Sequence, residues 1–171
     1  MTKRPGGGVD IYETAAHYAV DDGRTFRVSC FTNDLTGASF HYLRILTGAD
    51  HSPHAQVRVA VEGTSLVQFW EDSTISAAGT AQAIIGLNRQ ITGVVHTITA
   101  FINTAAQVAT TGTSLEAELI PGGSGVGGAG FGGISSGKDI ILDTSSTYLV
   151  SIQNLTASTI GASVIVDFHF D

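Results

Sequence analysis

A single cysteine, Cys30, occurs among the 171 residues, so no intramolecular disulfide can form. No Cys/His cluster stands at zinc-finger spacing either, which excludes a small fold stapled by bridges or by structural zinc. Charge is scarce: Asp, Glu, Lys and Arg make up 13% of the chain, against about 25% in an average soluble domain. The balance is 8 basic to 15 acidic residues, a formal net charge of -7. That sign excludes broad attraction to nucleic acid or to an anionic membrane surface. Apolar runs are only a few residues long, far short of the roughly 20 that a membrane-spanning helix needs. With 43% hydrophobic residues and a mean hydropathy of +0.23, the chain has enough apolar surface to fill a core and is not of the disordered class. Its length fits one domain, or two very small ones.

The segment Met1-Thr2-Lys3-Arg4-Pro5-Gly6-Gly7-Gly8 is basic but runs into Val9-Asp10-Ile11-Tyr12-Glu13, not into an apolar stretch. It lacks the pattern of a secretory signal, and folding in a cytosol-like compartment is expected. Residues 1–9 read as a flexible N-terminal arm ahead of a single domain over 10–171.

Helical periodicity is weak, because Thr, Ser, Val, Ile and Gly dominate and interrupt every window of helical length. Strand periodicity is abundant. Phe26, Val28 and Cys30 alternate with Thr25, Arg27 and Ser29, and Val57, Val59 and Val61 alternate with Gln56, Arg58 and Glu62. Leu115, Ala117 and Leu119 alternate with Glu116 and Glu118, and Val164, Val166, Phe168 and Phe170 with Ile165, Asp167 and His169. This period of two predicts half-buried strands. Residues 40–46, 66–70, 94–102, 140–142 and 148–153 are strand-like too, several of them apolar on both faces and therefore suited to burial between layers. Turns are expected at Asp21-Asp22-Gly23, Asn33-Asp34, Gly48-Ala49-Asp50, Glu62-Gly63, Gly112 and 143–146. Residues 77–83 fit either one helical turn or a crossing loop. The glycine-rich stretch 122–137 reads as a loop inserted between strands. Many short strands with frequent turns predict an all-β fold, a jelly-roll-like antiparallel β-sandwich.

Residues able to carry chemistry do not form a recognisable catalytic set. His51-Ser52-Pro53-His54 beside Asp50 places two imidazoles and a carboxylate in one loop, but two histidines in a proline turn with no second cluster commonly face solvent, and no metal site is expected. His41 and His96 fall in strands, where a satisfied, partly buried imidazole is the simplest reading. No serine lies in a Gly-x-Ser-x-Gly elbow, and the acid pairs Asp21-Asp22 and Glu71-Asp72 define no cleft. The glycines of 122–133 lack the lysine and following helix of a phosphate loop. Cys30 reads as a small core residue. No catalytic residue and no cofactor are expected. The surface is more informative: Phe69-Trp70 on a strand must send one ring inward and one outward, and Phe31, Leu46 and Ile165 lie opposite the main apolar set of their strands. Such outward apolar groups with few charges suit a protein interface.

Residues 66–90, LVQFWEDSTISAAGTAQAIIGLNRQ, and the C-terminal stretch from Asp139, with TYLVSIQNLTASTIGASVIVDFHF, resemble a family of small tailed-bacteriophage virion proteins. The features carrying the resemblance are an apolar strand ending at Glu71, then Gly79-Thr80, Asn88-Arg89, the glycine-rich loop, and two closing strands joined by a short Thr/Ser/Ala turn. The resemblance implies a head decoration or cement protein of jelly-roll or β-sandwich fold, sitting on the capsid exterior as a dimer or trimer. A neck or tail accessory protein is the neighbouring possibility.

The expected function is therefore structural and non-enzymatic. The partners would be the major capsid protein or other virion proteins and copies of this chain, with folding in the host cytoplasm and no nucleic acid or membrane bound. Lys3 and Arg4 in the arm, Trp70, Arg89 and Phe131 are the candidate partner contacts. A carbohydrate-binding receptor-tip module is the rival, with Trp70, Tyr42 or Phe131 stacking on sugar. A hydrolase would need Asp50, His51 and His54 gathered around a metal.

Overall fold

The structure is a computed structural model that describes residues 2–3, 12–13, 23–88, 97–122, 130–132 and 139–170. Alternating β-branched and polar residues put most of this chain into strands, since a branched Cβ packs well on a pleated surface. In chain order these are β1 (Thr2–Lys3), β2 (Tyr12–Glu13), β3 (Thr25–Leu35), β4 (Phe40–Leu46), β5 (His54–Val61), β6 (Ser65–Glu71), β7 (Thr74–Ile75) and β8 (Thr80–Gln82). They continue with β9 (Ile85–Gly86), β10 (Thr99–Asn103), β11 (Val108–Thr110), β12 (Thr113–Ile120), β13 (Gly130–Gly132), β14 (Ile140–Ile141), β15 (Thr147–Asn154) and β16 (Ile160–His169). A single 3-10 turn, Ala105–Gln107, is the one helical element among the described residues.

The strands form two principal antiparallel sheets. The first has the order β12-β6-β15-β4-β10-β8; the second has β13-β5-β16-β3-β9, with β14 also paired to β5. Short ribbons join β7 to β11 and β1 to β2. The inner face of the second sheet contributes Val28, Cys30, Val57, Val59, Val61, Val164, Val166 and Phe168, and that of the first Leu43, Ile45, Val67, Phe69, Tyr148, Val150 and Ile152, all in one core. The result is a β-sandwich. Along the chain β3, β4, β5 and β6 fall alternately in the second and first sheets, as do β13, β15 and β16 later. Each such crossing makes a strand's partners distant in sequence, so the core is built from both halves of the chain.

Burial follows the period of two on β5, where Ala55, Val57, Val59 and Val61 are buried and the residues between them are not. On β4 and β15 it does not: His41 through Ile45 and Tyr148 through Ile152 are all buried. These two strands lie in the middle of the first sheet and are covered on both faces, as their apolar-on-both-faces sequences require.

Several expectations are corrected. Asn33-Asp34 does not turn the chain: both lie within β3, at a register shift opposite β16 where the Thr32 hydroxyl bonds the Asp34 carboxylate. Short polar side chains that bond locally suit a bulge as well as a turn. The reversal comes later, at Ala38 (φ 59), where the Ser39 amide donates to the Thr36 carbonyl at 3.1 Å. Residues 77–83 hold no helical turn; they lead into β8, which pairs with β10. Of the 122–137 loop, Gly130–Gly132 forms β13 against Val59–Val61 of β5, and 123–129 and 133–137 lie outside the described residues. Within the N-terminal arm Thr2–Lys3 pairs with Tyr12–Glu13, and the rest of 1–9 lies outside them, as do Asp21-Asp22 and residues 94–96 of the expected strand.

Strand β12 reverses the expected faces. Glu116 and Glu118 register with Phe69 and Val67, both fully buried on the inner face, whereas Leu115 and Leu119 are 43% and 60% exposed. The strand sits at the end of its sheet, where a half-buried inward glutamate can reach past the rim of the core to water and an outward leucine is left partly exposed among the described residues.

One polar junction ties the core to its rim. The Tyr148 ring stacks on Phe69 at 5.6 Å, and its hydroxyl donates to Glu71 Oε1 at 2.6 Å while accepting from the Asp143 amide at 2.7 Å. Gly112 (φ +82) lies against this corner because a Cβ there would come within 2.0 Å of the Glu71 carbonyl oxygen. Tyr148→Phe keeps the stack but strands the Asp143 donor and the Glu71 acceptor. It is expected to lower unfolding free energy by roughly 1–3 kcal/mol in urea titrations with the fold unchanged.

Candidate functional site

With the inner faces committed to the core, only the outer faces and edges are open to contact. On the first sheet the outer face is itself apolar and layered. Leu149 is fully buried and Ser151 is 2% exposed, yet alternation with Tyr148, Val150 and Ile152 turns both away from the core. Trp70 roofs them: it registers with Leu149, and its indole N–H donates to Ser151 Oγ at 2.9 Å. Beside it Phe40 and Tyr42 stack with centroids 5.5 Å apart. Arg44 lies over the Phe101 ring, 4.3 Å from its centroid, and burial lowers its pKa. At the margin, on the terminal strand β12, Leu119 faces outward opposite the half-buried Leu66.

The outer face of the second sheet is polar at one end. Asp167 on β16 accepts from Arg27 Nε at 2.5 Å and Nη2 at 3.0 Å, and also from Arg58 Nη2. The hydrogen bond to Asp167 raises the Arg27 pKa against the opposing effect of burial. One step along, His54 and His169 are direct cross-strand partners with ring centroids 4.7 Å apart. The Asp139 carboxylate lies 3.5 Å from His169 Nε2 and 4.0 Å from His54 Nδ1. At the other end, exposed Phe31 lines a shallow depression of about 150 Å³ with Ala60, Gly161 and Ser163.

The candidate contact residues are not gathered into one site. Trp70 is half-buried on β6 of the first sheet, while Phe131 belongs to β13 of the second, its backbone opposite Ala60. Lys3 lies in β1, paired through its backbone with Tyr12. Arg4 and Arg89 lie outside the described residues. Tyr42 is 6% exposed beneath its aromatic neighbour, which removes it from any sugar-stacking role. Phe69 and Trp70 divide as expected, the first fully buried in the core and the second on the outer face. Glu71 and Gly79 have structural roles: Glu71 holds the Tyr148 hydroxyl, and a Cβ on Gly79 would come within 2.1 Å of the Ile102 carbonyl oxygen.

The histidine loop rearranges the expected chemistry. His51 packs edge-on against Phe170, while His54 turns to His169 and Asp139. Asp139 and His169 are more than 80 residues from His54 in sequence, and only the pairing of β5 with both β14 and β16 joins them. The sequence signal was the alternation of His169 with the apolar set of β16, which places it on the outer face. Comparison with known proteins gives no match to any family model, curated protein or solved structure.

Two buried groups fix the chemistry of the interior. Desolvation pushes the Cys30 thiol up to about 11, so it stays protonated and inert, a core residue in function as well as position. His41, on the inner face beside Ile152, is 9% exposed and its Nε2 has no hydrogen-bond partner, which corrects the expectation of a satisfied imidazole. Desolvation lowers its pKa, opposed in part by Asp34. Its folded pKa thus lies below the unfolded value of about 6.5. Above that pH both states are neutral there; as pH falls below it the unfolded chain takes a proton that the folded chain resists, and stability declines. His41→Gln is expected to shrink the loss of unfolding free energy between about pH 7 and pH 5, measured by urea titration at both.

Proposed function

We propose that this chain is a non-enzymatic structural protein of a tailed-phage virion, a head decoration or cement protein that self-associates and binds the capsid exterior through the major capsid protein. The observation that carries the reading is the β12 edge. This eight-residue strand ends its sheet, pairs only with β6 among the described residues, and shows two leucines to solvent. An unpaired edge that shows leucines to solvent is a hazard for a free monomer, because its amides and carbonyls template pairing with another chain; the register shift at Ser114/Glu116 and the inward Glu116 and Glu118 restrict that pairing to a partner that accommodates them. In an assembling protein the same edge is an interface, and burying it only in the assembled state stabilises that state by mass action. The layered aromatic face around Trp70, continuous with the edge, supplies more surface of the same kind. The likeness of residues 66–90 and 139–170 to small virion proteins supports the setting, and the sandwich is a jelly roll in this reading, its strands crossing between sheets as two interleaved Greek keys. A neck or tail accessory position uses the same surface.

Self-association is tested by light scattering on the full chain, and attachment by co-sedimentation with phage heads lacking their decoration protein. The double variant Leu115→Lys/Leu119→Lys is expected to fall from dimer or trimer to monomer and to lose at least tenfold in co-sedimentation, with an unchanged far-UV circular dichroism spectrum. A wild-type chain that is monomeric at high micromolar concentration and stays in the supernatant overturns the reading.

A further inference from the structure

We propose that His54, Asp139 and His169 form a binding site for a divalent first-row transition ion, zinc being the ion that suits the donors, and that this ion clamps β14 to the sheet. Two donors come from paired strands and the third from the residue that leads into a neighbouring one. His54 opens β5 and His169 closes β16 as its direct partner. Asp139 immediately precedes β14, whose Ile140 and Ile141 pair with Ala55 and His54 on the opposite side of β5. Alternation along the strands sets all three side chains on the same outer face.

The ligand atoms lie within 4.8 Å of one another. The carboxylate Oδ2 is 3.5 Å from His169 Nε2 and 4.0 Å from His54 Nδ1, both longer than a hydrogen bond. Donors bound at about 2.0–2.1 Å to a tetrahedral ion stand roughly 3.3 Å apart, so small side-chain rotations close the set. The carboxylate is also oriented for this task. Gln56 Nε2 donates to Asp139 Oδ1 at 2.6 Å, which holds one oxygen and leaves Oδ2 facing both imidazoles, the outer support that metal-binding carboxylates characteristically have. The arginines of this face, Arg27 and Arg58, are met by Asp167. His169, His54 and Asp139 side chains are 8%, 21% and 35% exposed, so the site is shielded on the protein side and open to solvent on the other. Two imidazoles and one carboxylate favour zinc or a neighbouring transition ion over calcium or magnesium, which prefer oxygen donors throughout, and three protein ligands leave a position for water. Without the ion, β14 joins β5 by two residue pairs and by the Leu142 amide donating to the Pro53 carbonyl at 2.9 Å.

The test uses the full chain, freed of any affinity tag and stripped with a chelator, titrated calorimetrically with Zn²⁺, Ca²⁺ and Mg²⁺ and examined by visible absorption with Co²⁺. One Zn²⁺ per chain is expected, bound at least a hundredfold more tightly than Ca²⁺ or Mg²⁺, with cobalt absorption typical of a low-coordinate nitrogen and oxygen site. Thermal unfolding should rise by roughly 5–10 °C at a free zinc concentration a hundredfold above Kd. Asp139→Ala and His54→Ala should each weaken binding at least tenfold while the stripped variants keep the wild-type circular dichroism spectrum. His169 is buried and its variant can fail to fold, so the exposed Asp139 decides. Absence of stoichiometric zinc binding, equal affinity for calcium, or wild-type affinity in both variants overturns the proposal.

Discussion

Without disulfides, the sandwich is held by burial of one face of each sheet against the other, and this constraint assigns the rest of the molecule. At roughly 25 cal/mol per Å² of apolar surface removed from water, a core running from Val28 to Phe168 is the dominant favourable term. It can form only if the chain crosses between sheets repeatedly. Each crossing must satisfy its own backbone, and the link from β15 to β16 shows how. Asn154, fully buried, donates to the carbonyls of Leu35 and Ser158 at 2.9 and 2.7 Å and accepts from the Thr156 amide and hydroxyl at 2.8 Å. One side chain thus satisfies the turn and ties it to the end of β3, so the crossing carries no unpaired amide nitrogen or oxygen from its own pivot.

Because the inner faces are committed, chemistry and recognition are left to the two outer faces and their edges. The first sheet turns out a wall of Trp70, Phe40, Phe101 and the β12 leucines, with Arg44 over the Phe101 ring. The second turns out a polar row in which Asp167 holds two arginines and Asp139 faces two histidines, flanked by exposed Phe31, Ile85 and Ile141. The first is suited to contact with another protein surface; on the second the apolar groups are interleaved with the charged row, and the histidine end is suited to holding a small cation.

Much of this was legible in the sequence where the signal is local. Period-two alternation located β3, β5, β12 and β16, and the double-sided apolar runs of β4 and β15 marked the strands covered on both faces. What was not legible is what pairing decides. Nothing in Leu115, Ala117 and Leu119 says that their strand ends a sheet, so their outward turn at the cost of inward Glu116 and Glu118 appears only once β6 is known to be the neighbour. Asn33-Asp34 carries turn chemistry, but the ladder with β16 continues through it and absorbs the extra residue as a register shift. The histidines show the same limit: sequence proximity joined His54 to His51, whereas the sheet joined it to His169 and Asp139, because cross-strand registry overrides a three-residue spacing in a loop.

The two functional readings are physically separable, since they occupy different sheets. An interface at β12 works through apolar area and unpaired backbone on the first sheet, and both depend on the inter-sheet core more than on any group of the polar face. The proposed clamp would act on β14 at one margin of the second sheet, where two residue pairs, the Leu142 amide and the Gln56–Asp139 hydrogen bond join it to β5. An ion bound there would stabilise that margin, and the site shares no strand with the β12 edge, which lies in the other sheet. Loss of the ion should therefore loosen the return of the chain from the glycine-rich segment without dissolving an assembly held through the opposite sheet. Loss of the apolar edge should free the monomer without altering its affinity for metal.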